Sequence, residues 1–168
     1  AGPGPHNIMA YESEAQEDEA VLTLTTSDGA RIERTITLHG DAVRFETALT
    51  AKDPRMFDFF VHPEYDTASG SDDPDELSIY VKDPEWVQAN AGWQNAKPTE
   101  AQTARIWESA SGGAFAYYNH AAKFGVEQRF DPDDYSGLEL FWSPTRRQVN
   151  LEMMTKIRHL EAGETARY

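Results

Sequence analysis

Histidines, carboxylates and tryptophans are the side chains here that could do chemistry, and their spacing narrows what that chemistry is. Five histidines (His6, His39, His62, His120 and His159) are dispersed, and no two stand at metal-ligand spacing. The sequence has no Gly-rich phosphate loop, no Gly-x-Ser-x-Gly elbow and no His-Glu-x-x-His. It has no cysteine, hence no thiolate zinc site, disulfide framework or cysteine nucleophile. Trp86, Trp93, Trp107 and Trp142 form the aromatic set. A sugar ring stacks its C–H face on an aromatic plane, whereas large aromatics also fill sandwich cores. Trp86 and Trp93 lie in an irregular stretch and are the pair expected at the surface. Arg146, beside Arg147, carries a fork that suits a sugar carboxylate or simply decorates a loop. Trp86, Trp93, Trp142 and Arg146 are therefore the candidate sugar contacts. Two acidic runs, 71–76 and 131–134, offer Asp72, Asp73, Asp75, Asp131 and Asp133 as calcium oxygens. Calcium takes about six to eight oxygens, and Asp/Pro clusters are also ordinary turn material.

These side chains must be positioned by strands. A β-branched run over 21–26 is followed by Ser27-Asp28-Gly29, a turn that tolerates positive φ. From 31 to 38, Ile32, Ile36 and Leu38 fall on one face and Glu33, Thr35 and Thr37 on the other. After His39-Gly40-Asp41, Val43, Phe45, Thr47 and Leu49 alternate with Arg44, Glu46 and Ala48. Period 2 across three runs predicts an antiparallel meander. Residues 1–20 read as an N-terminal loop, acidic towards its end, and 21–168 as a single sandwich domain. Further strands are expected over 56–61, 77–81, 114–119, 123–130, 138–142 and 149–155, with a last partial strand at the C-terminus. Residues 67–76 and 95–103 read as loops. No amphipathic helix longer than about two turns is present. Many short strands with frequent turns predict an all-β antiparallel sandwich or barrel.

Bulk composition sets the outer bounds. The 168 residues suit one domain, which buries about two thirds of its unfolded surface. Acidic residues outnumber basic ones 29 to 15, for a net charge of -14. Lysine and arginine are scattered, which disfavours nucleic acid and anionic membranes as partners. No apolar run approaches the roughly 20 residues that span a bilayer. The Ala1-Gly2-Pro3 start lacks a basic region and an apolar core, so the chain reads as a mature or excised fragment.

Near the C-terminus the sequence reads Gly137-Leu138-Glu139-Leu140-Phe141-Trp142-Ser143-Pro144, then Asn150, then Leu160-Glu161-Ala162-Gly163-Glu164. This resembles the closing strands of the galactose mutarotase-like family, whose aldose epimerases carry Leu-Glu-x-x-x-x-Pro, an Asn and Leu-x-x-Gly-Glu. The resemblance covers about a third of the chain, counting the strands over 31–49, and implies a mutarotase-like sandwich. It makes Glu139 the match for the general base acting on the anomeric hydroxyl, with Glu152 as second candidate. The family's histidine motifs have no counterpart here. His62 and His120 are the candidates for the acid, though a loop position and a structural hydrogen bond are alternative roles for them. Glu139 also alternates with Leu138 and Leu140 as a plain solvent-facing strand residue would. The leading expectation is a carbohydrate-binding or accessory domain of a larger carbohydrate-active or envelope protein, with a sugar or a neighbouring domain as partner. The alternatives are an epimerase-like enzyme using a Glu/His pair, and a structural or protein-interaction sandwich. No cofactor is expected, calcium apart, and the resemblance favours an extracytoplasmic location.

Overall fold

The computed structural model describes residues 8–58, 60–66, 77–82, 84–91, 102–106, 111–143 and 146–168. Every strand pairing among them is antiparallel. The fold is all-β. Its contacts gather into two compact units, Ala1–Phe57 with Ile157–Tyr168, and Asp58–Lys156.

In the first unit β1 (Ile8–Ala15), β2 (Glu19–Thr26), β3 (Arg31–His39) and β4 (Ala42–Thr50) form a meander. Gly29 at φ 81° and Gly40 at φ 61° make its two expected turns. The Asp28 carboxylate accepts from the Ala30 N–H at 3.3 Å and is paired with Arg55, which fixes the first of them. The segment expected as loop up to Ala20 instead supplies β1, with Tyr11 opposite Leu24 and Ser13 opposite Leu22. Its side chains from Ala10 to Ala15 are exposed, so backbone pairing with β2 makes the strand, and composition does not reveal it. β5 (Arg55–Phe57) pairs with β15 (Arg158–Leu160), and β16 (Thr165–Arg167) closes the meander against β4. Ala30, Leu49, Ala51, Phe57, Leu160 and Ala166 form the core here. The apolar face of the meander is buried only at that end. Leu38, Val43 and Phe45 are about half exposed.

The second unit is a two-layer sandwich. One sheet runs β10 (Gln102–Ile106), β13 (Tyr135–Ser143), β14 (Gln148–Thr155) and β6 (Phe60–Val61), with β7 (Glu64–Asp66) also on β14. The other runs β12 (Phe124–Arg129), β11 (Ala114–Asn119), β8 (Leu77–Lys82) and β9 (Trp86–Gln88). Leu138, Leu140, Trp142, Val149, Leu151 and Met153 of the first sheet pack on Leu77, Ile79, Val81, Phe115 and Tyr117 of the second. Residues at every second position reach this core, as period 2 requires. The apolar run over 56–61, expected as one strand, is two: β5 belongs to the first unit and β6 to the second. The charged Asp58 stands in that run where the first unit ends and the second begins.

Candidate functional site

The face of β13 and β14 that points away from the core carries the chemistry. On β14, Val149, Leu151 and Met153 are core residues, which sends Gln148, Asn150 and Glu152 to the opposite face. On β13, Leu138, Leu140 and Trp142 go inward, so Glu139 and Phe141 share the face of Glu152. The register puts Glu139 directly opposite Glu152, and Arg105 of β10 is the register partner of Glu139. At the other edge, Val61 pairs with Met153 and Tyr65 with Val149, both inward. His62, one residue after Val61, therefore falls beside Glu152. Pro63 has no N–H to give the ladder, and its carbonyl still accepts from Leu151 N–H at 3.2 Å. The pairing is interrupted at this proline, between β6 and β7, and His62 stands at the gap.

Four side chains form one hydrogen-bonded group there. His62 Nε2 is 3.0 Å from Glu152 Oε1. Asn150 Nδ2 donates to Glu152 Oε1 at 2.9 Å and lies 2.7 Å from His62 Nε2. Gln148 Nε2 donates to Asn150 Oδ1 at 2.8 Å. Glu152 is 6% exposed and Asn150 3%, whereas the His62 side chain is 44% exposed. A carboxylate this buried needs hydrogen-bond partners, and it has a histidine and an amide. The accessible end of the group is the imidazole. Phe60, two residues from His62 and 45% exposed, meets it edge-on with ring centroids 5.9 Å apart. Glu64, opposite Asn150 in the register, adds an exposed carboxylate. The arrangement can hold and pass a proton between an imidazole and a shielded carboxylate, beside an open aromatic ring.

Of the residues singled out by sequence, this face unites His62, Glu139 and Glu152. It does not include His120, which follows β11 in the other sheet. His120 Nε2 lies 2.7 Å from Ser78 Oγ, and its ring meets Tyr118 at 4.8 Å. Ser78 points away from the core formed by Leu77 and Ile79, so the core of the unit separates His120 from Glu139. Trp142, expected among the sugar contacts, is a core residue at 0% exposure and offers no open ring face. Trp86 on β9 is 43% exposed, in the other sheet, and Arg146 is exposed in the turn between β13 and β14. Asp131 Oδ1 accepts from the Asp133 N–H at 2.9 Å, the contact of a turn. Among the described residues no group of three or more His, Asp or Glu is placed to hold a metal ion. Trp93, Trp107, Asp72, Asp73 and Asp75 lie outside the described residues. Gln148 and Phe60 were not anticipated. The alternation Gln148, Asn150, Glu152 against Val149, Leu151, Met153 is the signal that finds the polar face.

No family model matches the sequence, and no curated protein is similar to it in sequence. Solved structures do match in fold. One is the Slr1438 protein from Synechocystis sp. PCC 6803, with TM-score 0.67 and 12% identity over 94% of this chain and 63% of that one. Another, from Escherichia coli K12, is provisionally assigned as an aldose 1-epimerase, with TM-score 0.67 and 12% identity over 94% of this chain and 65% of that one. This chain spans less than two thirds of the length of either.

Proposed function

On this aldose-epimerase-like fold, we propose that the chain is a carbohydrate-binding domain that receives a sugar at the face of Phe60, His62, Glu139 and Glu152. The observation that carries the reading is the contact of exposed His62 with buried Glu152 at 3.0 Å. An imidazole backed by a carboxylate is a ready hydrogen-bond partner for a sugar hydroxyl, and the exposed Phe60 ring suits stacking against sugar C–H groups. The domain presents the sugar to a neighbouring part of a larger carbohydrate-active or envelope protein.

The same contact favours a second reading, interconversion of sugar anomers. Ring opening needs a proton taken from the anomeric hydroxyl and one given to the ring oxygen. In this reading Glu152, held by His62, is preferred over Glu139 as the base, and His62 is the acid.

Titration of the full chain with D-glucose, D-galactose and a glycan array, with and without calcium, tests the first reading. Binding that weakens about tenfold in Glu152→Gln, the loss of one charge-assisted hydrogen bond, supports it. Trp86→Ala distinguishes a site on the other sheet. Silence across the array from a folded sample turns the assignment to a structural or protein-interaction module. Polarimetry on freshly dissolved α-D-glucose decides the second reading: acceleration abolished by His62→Asn supports it, and an uncatalysed rate removes it.

A further inference from the structure

The outer face of the other sheet of the second unit carries aromatic rings at successive register positions. Leu77, Ile79 and Val81 of β8 are core residues, so Ser78, Tyr80 and Lys82 point away from the core. Phe115 and Tyr117 of β11 are core as well, which sends Ala116 and Tyr118 to the same outer face. On β9, Trp86 stands opposite Lys82 and Gln88 opposite Tyr80, so both share that face. Tyr80 stands opposite Ala116, and Ser78 opposite Tyr118. Trp86 and Tyr118 are therefore the diagonal neighbours of Tyr80, one on each side, at about 7–8 Å per step. The three rings run in a line across β9, β8 and β11. Small residues lie beside it, Ala116 next to Tyr80 and Gly125 of β12 opposite Tyr118. A Cβ at Gly125 would stand 2.9 Å from Tyr118 Cδ2. The Tyr118 ring thus leans across β12 into the space a side chain would fill, and a ring laid along a sheet turns a face outward. Trp86 is 43% exposed and Tyr118 37%.

Hydrogen-bonding groups flank the line. His120 meets the edge of the Tyr118 ring, and its Nε2 lies 2.7 Å from Oγ of the buried Ser78. That contact occupies Nε2 and leaves Nδ1 for a ligand hydroxyl. Gln88 adds an exposed amide opposite Tyr80. Open rings beside an imidazole and an amide match a sugar, whose faces are C–H and whose rim is hydroxyl. Charge narrows the ligand further. The charged side chains at these register positions are Lys82 and the Arg129–Glu127 pair, whose Nη2 and Oε1 are 2.7 Å apart. The one carboxylate is already paired, so a basic partner finds no hold. A polyanion, or a second copy of this chain, is repelled by the net charge of -14. One sugar ring covers one aromatic ring, whereas a straight chain of sugars reaches all three. We propose that this face is a second sugar site, separate from that of His62, and that it binds an extended, uncharged glycan of the cellulose or xylan type along Trp86, Tyr80 and Tyr118.

The test is calorimetric titration of the full chain with cellohexaose, with maltohexaose and polygalacturonate as comparators. Cellohexaose is expected to bind, and Trp86→Ala to weaken it about fivefold, the loss of one stacked ring. Trp86 is exposed on an edge strand, so this variant keeps the fold. Tyr118→Ala gives a similar loss, and Tyr118→Phe, which keeps the ring, retains the binding. Circular dichroism confirms that each variant is folded. Absence of cellohexaose binding by the folded chain would overturn the inference, as would binding that neither alanine variant weakens. Equal or tighter binding of the coiled maltohexaose or of the anionic polygalacturonate would overturn it too. Weakening by Glu152→Gln and not by Trp86→Ala would move the glycan to the face of His62, with the same consequence. Titration with D-glucose reads the His62 face by itself, so either site stands or falls without the other.

Discussion

At the scale of single residues, burial decides which polar groups can act. Glu152 is shielded and Glu139 only half-buried, although they face each other across β13 and β14. The difference comes from the edge beyond β14, where His62 covers one and not the other. Tyr65, on the inward side of the same edge, shows the opposite use of burial. It stacks on Tyr117 with ring centroids 6.0 Å apart, and its hydroxyl donates to Gln128 Oε1 at 3.4 Å. Burial pushes its phenol above the ordinary 10.0, because the anion would be poorly solvated. Between that value and the raised one, the folded state keeps a proton that the unfolded chain has lost. Stability from this group is thus complete below the unfolded value and is lost as pH rises through the folded one. Urea unfolding at about pH 9 and about pH 11 should show a steeper fall for the wild type than for Tyr65→Phe. Equal falls would show that Tyr65 ionises alike in both states.

At the scale of elements, tight approaches of backbone to backbone hold the sheets in register. Gly113 precedes β11 at φ +63°, and a Cβ there would stand 2.6 Å from the Phe130 carbonyl. Its own carbonyl accepts from the Phe130 N–H at 2.9 Å, which ties the start of β11 to the end of β12. Gly40, in the turn between β3 and β4, has a similar φ of +61° and nothing within 4 Å. Gly113→Ala should therefore cost more than Gly40→Ala. The first combines strain of about 1–3 kcal/mol with a steric clash, and the second carries the strain alone. Denaturant midpoints of the two variants measure the difference. Equal costs would mean that the β11–β12 junction yields without penalty.

At the scale of the whole molecule, charge is the dominant property. A net charge of -14 over 168 residues sets like charges against one another in the folded state. Raising salt from about 0.1 M to about 1 M shortens the screening length from about 10 Å to about 3 Å. The melting temperature at neutral pH should rise across that range. A fall would show that attractive pairs such as Arg55–Asp28 outweigh the net repulsion. The two units also differ in continuity. Asp58–Lys156 is one stretch of chain, whereas the other unit is completed by Ile157–Tyr168 returning to it. There, Thr47 and Tyr168 exchange backbone hydrogen bonds at 2.9 and 3.0 Å.

The sequence by itself determined the fold class and most of the strands. Alternation and turn chemistry are local properties, and the meander of β2, β3 and β4 could be read from them with its Asp-Gly and His-Gly turns. The Leu-Glu stretch with its distant Gly-Glu turn pointed to the mutarotase-like sandwich and to Glu139 and Glu152. Only the tertiary structure decided which partners meet. β1 is a strand because β2 lies beside it, and the apolar run at 56–61 divides because its halves meet different neighbours. Trp142 could be read as a sugar contact or as a core aromatic, and packing against the second sheet makes it core. His62 and His120 were equivalent as sequence, and 88 residues separate His62 from Asn150 along the chain. Register across β14 brought the first to Glu152, and the core kept the second away. Local pattern fixes the face a side chain takes within its own strand, but which distant strand lies alongside is set by burial and hydrogen bonding over the whole sheet.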